Sequence, residues 1–500
     1  MIDNYKGFGL AKTIAVVCAQ FGDTGKGKMV DVFAEQADII VRGTGGDNAG
    51  HTIKTDDAEY IFHLIPSGIC YDGAGKINII GNGTVIYPKT LCDELELLGQ
   101  KKMSYEHLFI ALNAHLILPQ HIVLDRLKEC QAGQTKIGTT GKGIGPTYVD
   151  HVNRCGLIMN DLLNKDTFVK KFRHNLSAKQ AIFQQYPAEV IEKIMHHEHL
   201  ENGCYYHGQD VFNEEAIIAK YMAYGKVLSD MISDADAYVR ISVSKKNILL
   251  EGAQGLLLSI DYGTYPYVTS SDPSVYGLAK GSGLSVSEID LTFGIIKGFY
   301  MTRVGRGPFP TEMGGQQSDE WCNDNPQARA EENILLDMSV NHHEEFYQGM
   351  AIRQVGNEYG ATTGRPRRIG WLDLVLLRHA LKYLPSKNLI LTKLDVLNDC
   401  EIIKICDYYS YNGRPIRLGK SYLPTGSMIS NLAIIPAEIL EHCRPNYKTF
   451  PGWQEDLNSC QSFADLPTKL KDILDYITDN TGANHRIISI GPKREQTIFI

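Results

Sequence analysis

Residues Gln20–Asp31 read QFGDTGKGKMVD, with three glycines, two lysines and one carboxylate between Gly22 and Lys28. Glycines let the backbone turn tightly and aim its N–H groups at phosphate oxygens, and a helix starting there adds its positive end. Gly22, Gly27 and Lys28 have the spacing of a P-loop, but Met29 stands where that motif places Ser or Thr to hold Mg²⁺. A nucleotide bound here needs another oxygen for its metal. Asp23 is the nearest, and Mg²⁺ usually takes only one or two protein oxygens beside phosphates and water.

Two more loops suit anions. In Arg42–Thr52 (RGTGGDNAGHT) small residues allow close approach of a ligand, while Asn48, His51 and Thr52 offer polar contacts. A lone histidine is more often structural; beside a phosphate loop His51 suits a general acid or a charge stabiliser. Gly138–Pro146 (GTTGKGIGP) suits a phosphate monoester or is a plain surface turn. Three such loops exceed what one nucleotide requires, so two phosphorylated ligands are expected. Further on, Lys393-Leu394-Asp395 follows an apolar run. A carboxylate there can accept from both N1–H and the 2-amino group of guanine, which adenine cannot supply together. Gly360–Arg368 (GATTGRPRR) presents guanidinium forks that fit a carboxylate or a phosphate.

These groups need a scaffold. Short apolar, β-branched runs at Thr13–Gln20, Asp38–Arg42, Ile77–Gly81, Leu108–Leu112, Asn247–Gly252, Phe293–Phe299 and Asn388–Thr392 fit strands buried on both faces. Helical candidates such as Pro88–Leu98 and Asp373–Leu384 lie between them. The alternation predicts an α/β fold. Residues 165–225, rich in Lys, Gln, Glu and His, and the polar, acidic 313–352 read as surface elaborations; His196, His197, His199, His342 and His343 within them read as solvated, with a metal site as a remote option. The net charge of -8 argues against a nucleic-acid coat. The eleven cysteines form no C-x-x-C pair, which points to reduced thiols. No run is long enough to cross a bilayer, so a soluble, cytoplasmic protein is expected.

In sequence order, QFGDTGKGKMVD, GTGGDNAGHT, IGTTGKGIGPTYVD, EGAQGLLLSIDYGTYPYVTSS, TRVGRGPFPTE, GNEYGATTGRPRRIGWLD, LTKLDVL and ISIGP span nearly the whole chain. Together they resemble the adenylosuccinate synthetase family. The resemblance implies one elaborated P-loop-NTPase-like domain over residues 1–500, with a large, mainly parallel sheet flanked by helices and polar insertions near 165–225 and 313–352. It implies GTP-dependent joining of IMP and L-aspartate through a 6-phosphoryl intermediate, the first committed step from IMP to AMP, with Mg²⁺ as cofactor.

Carried over by motif, Asp23 would be the general base at N1 of IMP and a Mg²⁺ ligand, His51 the general acid at the 6-oxygen, and Gln254 a further catalytic group. Gly50 would offer its carbonyl to the metal. Gly22, Asp23, Thr24, Gly25, Lys26, Gly27, Lys28, Gly50, His51, Thr52, Arg367, Lys393, Leu394, Asp395, Ser489, Ile490 and Gly491 would hold GTP. Asp23, Thr24, Gly25, Lys26, Asn48, Ala49, Gly50, His51, Thr140, Gln254, Thr269 and Arg365 would hold IMP. Arg154 would reach the IMP of a second subunit, which implies a homodimer. Ala361, Thr362, Thr363, Gly364, Arg365, Pro366 and Arg367 would receive aspartate.

Thr24 replaces an expected glutamate, Lys142 an arginine, Pro366 interrupts the arginine run, and Asp47 stands where His and Asn alternate. Thr24 and Asp47 are expected to affect affinity or metal geometry. Two other functions share parts of this pattern. A phage-type 2-aminoadenylosuccinate synthetase acting on dGMP is expected to lack the loop acid, which Asp23 supplies here. A GTP-binding switch explains the phosphate loop and Asp395 but not GTTGKGIGP or EGAQG.

Overall fold

Every apolar run named above becomes a strand of one sheet. The computed structural model describes residues 9–54, 59–133, 136–196, 211–335, 338–360 and 364–500. Among these, ten strands share the sheet: β1 (Thr13–Cys18), β2 (Ile39–Arg42), β3 (Ile77–Ile80), β4 (Leu108–Ala111), β5 (Ile232–Ser233), β6 (Ile248–Glu251), β7 (Leu291–Lys297), β8 (Asn388–Thr392), β9 (Asn484–Ser489) and β10 (Thr497–Phe499). Their spatial order is β10-β9-β8-β7-β1-β6-β2-β3-β4-β5. All pair in parallel except the edge strand β10, which is antiparallel to β9. β1 and β8 are buried along their whole length, as a sheet covered by helices on both faces requires. β5 was not foreseen because it has only two residues, and β9 because it opens on Asn484, His485 and Arg486.

Parallel strands end at one edge. Cys18, Arg42, Glu251, Lys297, Thr392 and Ser489 therefore lie along one side, with β1 between β6 and β7 in the middle. The chain moves to opposite sides of β1 here, and a crevice at carboxyl strand ends is where such sheets bind ligands.

A second sheet of five strands, absent from the sequence reading, joins Tyr300–Arg303, Arg368–Asp373, Ile402–Tyr411, Met428–Ile429 and Cys443–Pro451. It carries Arg367 and Arg368 to the same edge. Helices Lys165–Phe183, Ala188–Met195 and Glu214–Leu228 occupy the described part of 165–225. They are not confined to the surface. Phe168, Phe172, Phe183, Ile217 and Tyr221 are buried in a core of their own with Leu116, Ile117 and Leu127. Residues 313–352 form Gly315–Asp324, Ala328–Ile334 and most of Glu345–Val355.

The exit of β2 passes through a crossing that admits only glycine. A Cβ on Gly281 would lie 1.7 Å from the Gly43 carbonyl, and one on Gly83 2.3 Å from that oxygen. This crossing sets where the loop bearing Asn48 and His51 begins. Gly281→Ala should therefore cost about 1–3 kcal/mol or more in urea unfolding, as overpacking does; unchanged stability would show that the crossing yields freely.

Candidate active site

After β1 the backbone turns through three left-handed residues, Gly22 (φ 104), Asp23 (φ 52) and Gly25 (φ 74), and Gly25 caps helix α1 (Lys26–Ala34). The first turn of α1 holds no acid, so its N–H groups and positive end remain fit for phosphate. Lys26 donates to the Gln254 carbonyl at 2.6 Å, and Lys28 to Ser489 Oγ at 2.6 Å and the Gly491 carbonyl at 2.7 Å. Burial lowers the Lys28 ammonium to about 8, against the pull of Asp395 and Glu495. Phosphate loop, Asp395 and the terminal ISIGP segment thus come together across most of the chain. Arg494 adds a fork to Asp31 of α1. Thr24 departs from expectation: its hydroxyl is buried without a hydrogen-bond partner. Its side chain faces the protein, which leaves only its backbone for a ligand.

Asp23 Oδ2 lies 3.0 Å from Arg367 Nε, with the carboxylate about one-third exposed (34%). Arg367 is held in turn by Glu358, a fully buried carboxylate that the sequence reading missed. Glu358 takes Arg367 Nη1 at 2.6 Å, Lys297 at 2.7 Å, Lys393 at 2.8 Å and the Tyr300 hydroxyl at 2.7 Å. Burial opposes its charge, but Lys297, Lys393 and Arg367 outweigh burial and hold the carboxyl well below its usual range. Burial also lowers Lys297 to about 7 despite Glu358. Lys393, left-handed at φ 57, spends its ammonium on Glu358 and on the Gly356 carbonyl at 2.9 Å. Asp395 beside it is raised by burial, and Leu394 is fully buried between them.

His51 opens the strand after the second loop. Its Nδ1 lies 2.6 Å from Oε1 of Glu251, the last residue of β6, and Arg42 Nη1 lies 3.4 Å from its Nε2. Ser67 donates to Glu251 from both N–H and Oγ, each at 2.8 Å. Burial alone would push Glu251 up; His51, Arg42 and the Ser67 N–H overcome it and bring the carboxyl to about 2. Glu251 was also missed, although it opens the EGAQG stretch.

Gln254, left-handed at φ 47, joins the loops. Its carbonyl receives Lys26, its amide donates to Asn48 Oδ1 at 3.0 Å, and Ser271 Oγ reaches its Oε1 at 3.5 Å. Thr269 Oγ1 lies 3.4 Å from Ser271 Oγ. Asn48, Gln254 and Thr269 thus form one polar row beside half-buried Ala49 and Gly50. Asp47 does not face this row. It is buried, accepts from Thr90 at 3.0 Å, and its carbonyl takes the Lys142 ammonium at 2.6 Å. Two departures from the family pattern are therefore partners.

Thr140 lies exposed on the third loop, and Arg154 exposed and left-handed (φ 61) just past helix Ile144–Val152. Arg365 is exposed, and Pro366 lies in a bridge to Tyr359 at the neck of its loop. Ala361, Thr362, Thr363, His197 and His199 fall outside the described residues, as does the side chain of Thr52. His342 and His343 stack on each other at 4.5 Å, and among the described residues no three His, Cys, Asp or Glu cluster as a metal site. No described helix is long and apolar enough to cross a membrane.

The family model described as adenylosuccinate synthetase matches residues 15–498. The adenylosuccinate synthetase of Desulforamulus reducens is 39% identical over 491 residues, 98% of each chain. The structure of fully ligated adenylosuccinate synthetase from Plasmodium falciparum superposes with a TM-score of 0.77 at 32% identity, covering 98% of this chain and 100% of that one. Cyanophage S-2L succinoaminodeoxyadenylate synthetase, bound to dGMP and dATP, shares the fold alone, at 17% identity and a TM-score of 0.51, with 98% of this chain and 95% of that one covered. Matched along nearly its whole length by family and by relatives, this chain belongs to the adenylosuccinate synthetase family.

Proposed function

We propose that Asp23 and His51 are the proton-transfer groups with which this GTP-dependent ligase joins IMP to L-aspartate, giving adenylosuccinate, GDP and phosphate on the way to AMP. The observation that carries the assignment is that each sits on a strand-end loop of one edge with a charged partner: Arg367 for Asp23, Glu251 for His51. Asp23 takes the N1 proton of IMP, which makes the 6-oxygen nucleophilic. That oxygen attacks the γ-phosphorus of GTP and GDP departs. The aspartate amino group then bonds to C6, sheds a proton, and phosphate leaves with the former 6-oxygen. An amide-like oxygen is a poor leaving group until phosphorylated, which is why GTP is spent. With Nδ1 turned to Glu251, His51 gives up the 3.4 Å contact of Nε2 with Arg42 Nη1 when IMP binds, turns a protonated Nε2 to the 6-oxygen and stabilises the charge developing there.

Lys26, Lys28, Arg367, Asp395 and Ser489–Gly491 hold GTP; Asn48, Thr140, Gln254, Thr269 and Arg365 hold IMP; the 361–367 loop receives aspartate. Asp23, once it has released Arg367, and the Gly50 carbonyl are the donors for Mg²⁺. A single carboxylate and a carbonyl fit an ion whose other positions go to phosphate and water. Bound there, Mg²⁺ would neutralise charge on the transferring phosphoryl group. Arg154, exposed on the chain alone, serves the IMP of a second subunit, so the working unit is a homodimer. The chain acts as one domain in the cytoplasm. Asp23 favours IMP over a 2-aminopurine, and the Asn48–Gln254–Thr269 row has no use in a GTP switch.

Asp23→Asn should lower kcat about 10²–10⁴-fold with melting temperature retained; turnover within a few-fold of wild type in a coupled assay would remove Asp23 as base. Glu251 has a second signature. Its carboxyl is lowered from 4.5 to about 2, so its contribution is fully present above pH 4.5 and disappears as pH falls toward 2. Glu251→Gln should lose stability at neutral pH, and the gap to wild type should close during acid titration. A gap that stays constant from pH 7 to pH 2 would show that the charge does not matter.

A further inference from the structure

The helical segment Gly315–Val355 carries none of the motifs to which chemistry was assigned, yet it buries two charged side chains against the arginine arm. Glu332, fully buried, accepts from Trp321 Nε1 at 2.7 Å, from the Tyr359 hydroxyl at 2.6 Å and from Arg353 Nη1. Arg353, 1% exposed, passes its Nε to the Arg367 carbonyl at 2.7 Å and reaches Cys322 Sγ at 3.3 Å.

Tyr359 and Arg367 are the two sides of one neck. Tyr359 bridges Pro366, Gly360 N–H donates to the Arg365 carbonyl at 2.8 Å, and Arg367 N–H donates to the Glu358 carbonyl at 2.9 Å. Glu332 therefore grips the outgoing side through a hydroxyl, Arg353 grips the returning side through a carbonyl, and their ion pair joins the two grips. Arg329, exposed on the same helix as Glu332, stacks over the Tyr359 ring at 4.7 Å; its Nη1 lies 3.2 Å from where a Cβ on Gly364 would be. Packing alone could hold a helix here with apolar residues, without the desolvation cost of a buried pair. What the charges add is direction: they fix the Arg367 backbone whose guanidinium meets Asp23.

We infer that Glu332 and Arg353 are positioning residues that set the neck of the aspartate-receiving loop, so that the 313–352 segment tunes recognition of the acidic co-substrate. The inference rests on the proposed role of the 361–367 loop. All seven residues of this loop are assigned to aspartate, only Arg365 also to IMP and only Arg367 also to GTP, so a defect here falls chiefly on the Michaelis constant for aspartate. In the full chain, Glu332→Gln keeps the shape and one acceptor oxygen, turns the other oxygen into a donor and removes the charge facing Arg353. It should raise KM for aspartate about tenfold, the scale of a sub-ångström misplacement, with KM for IMP and GTP within about twofold. Arg329→Ala, at an exposed position, should move the same constant in the same direction by about threefold. Unchanged aspartate KM in folded variants, or three constants rising together, would overturn the inference; should Glu332→Gln not fold, Arg329→Ala decides. Wild-type product that forms without aspartate would instead overturn the underlying reading.

Discussion

One buried carboxylate organises the cations of this site. The lysine and arginine side chains gathered at this edge repel one another. Glu358 lies at their centre with no exposed surface and takes Lys297 from the end of β7, Lys393 from the end of β8, Arg367 and the Tyr300 hydroxyl. Removing one member of such a pair strands the other charge, at a cost of about 3–5 kcal/mol. Because Arg367 also meets Asp23, the same carboxylate fixes what surrounds the proposed base. Glu251 does the parallel service for His51, with Arg42 and Ser67.

These contacts are possible because parallel strands end together. Residues from widely separated stretches arrive at one edge, and the glycines there let loops pass at distances a side chain would forbid. Gly255 shows the constraint: a Cβ on it would come within 2.2 Å of the Gln20 carbonyl and 2.4 Å of Gly22 N. Gln254 can then touch the phosphate loop and the Asn48 loop at once. Adenylosuccinate synthetase chemistry, which must bring a triphosphate, a purine and an amino acid to one point, needs such a convergence.

Much of this was legible in the sequence. The seven buried runs named strands to within two residues at each end, because continuous apolar β-branched stretches bounded by glycine fit little else. The glycine loops, Asp23, His51 and Asp395 stood out because phosphate and base recognition require particular residue types at particular spacing. The supporting carboxylates did not. His51 and Glu251 are 200 residues apart and Lys28 and Ser489 are 461 apart, so no local pattern marks the pairing. Nor does residue type reveal that Thr24 is turned inward or that Lys142 binds the Asp47 carbonyl. The five-stranded second sheet escaped for another reason: its long strand Ile402–Tyr411 alternates burial and ends in polar aromatics, unlike the fully apolar runs beside it. The 313–352 segment read as surface because its acids look solvated, whereas Glu332 is wholly enclosed.

The central claim is that Asp23 exchanges its partner Arg367 for the purine ring and the cation when the substrates arrive. A crystal structure with IMP, a non-hydrolysable GTP analogue and Mg²⁺ tests it directly. The account predicts an Asp23 oxygen at hydrogen-bond distance, about 3 Å, from N1 of the purine and the other oxygen turned toward the metal. Asp23 still locked to Arg367, with both purine and cation out of its reach, would contradict it.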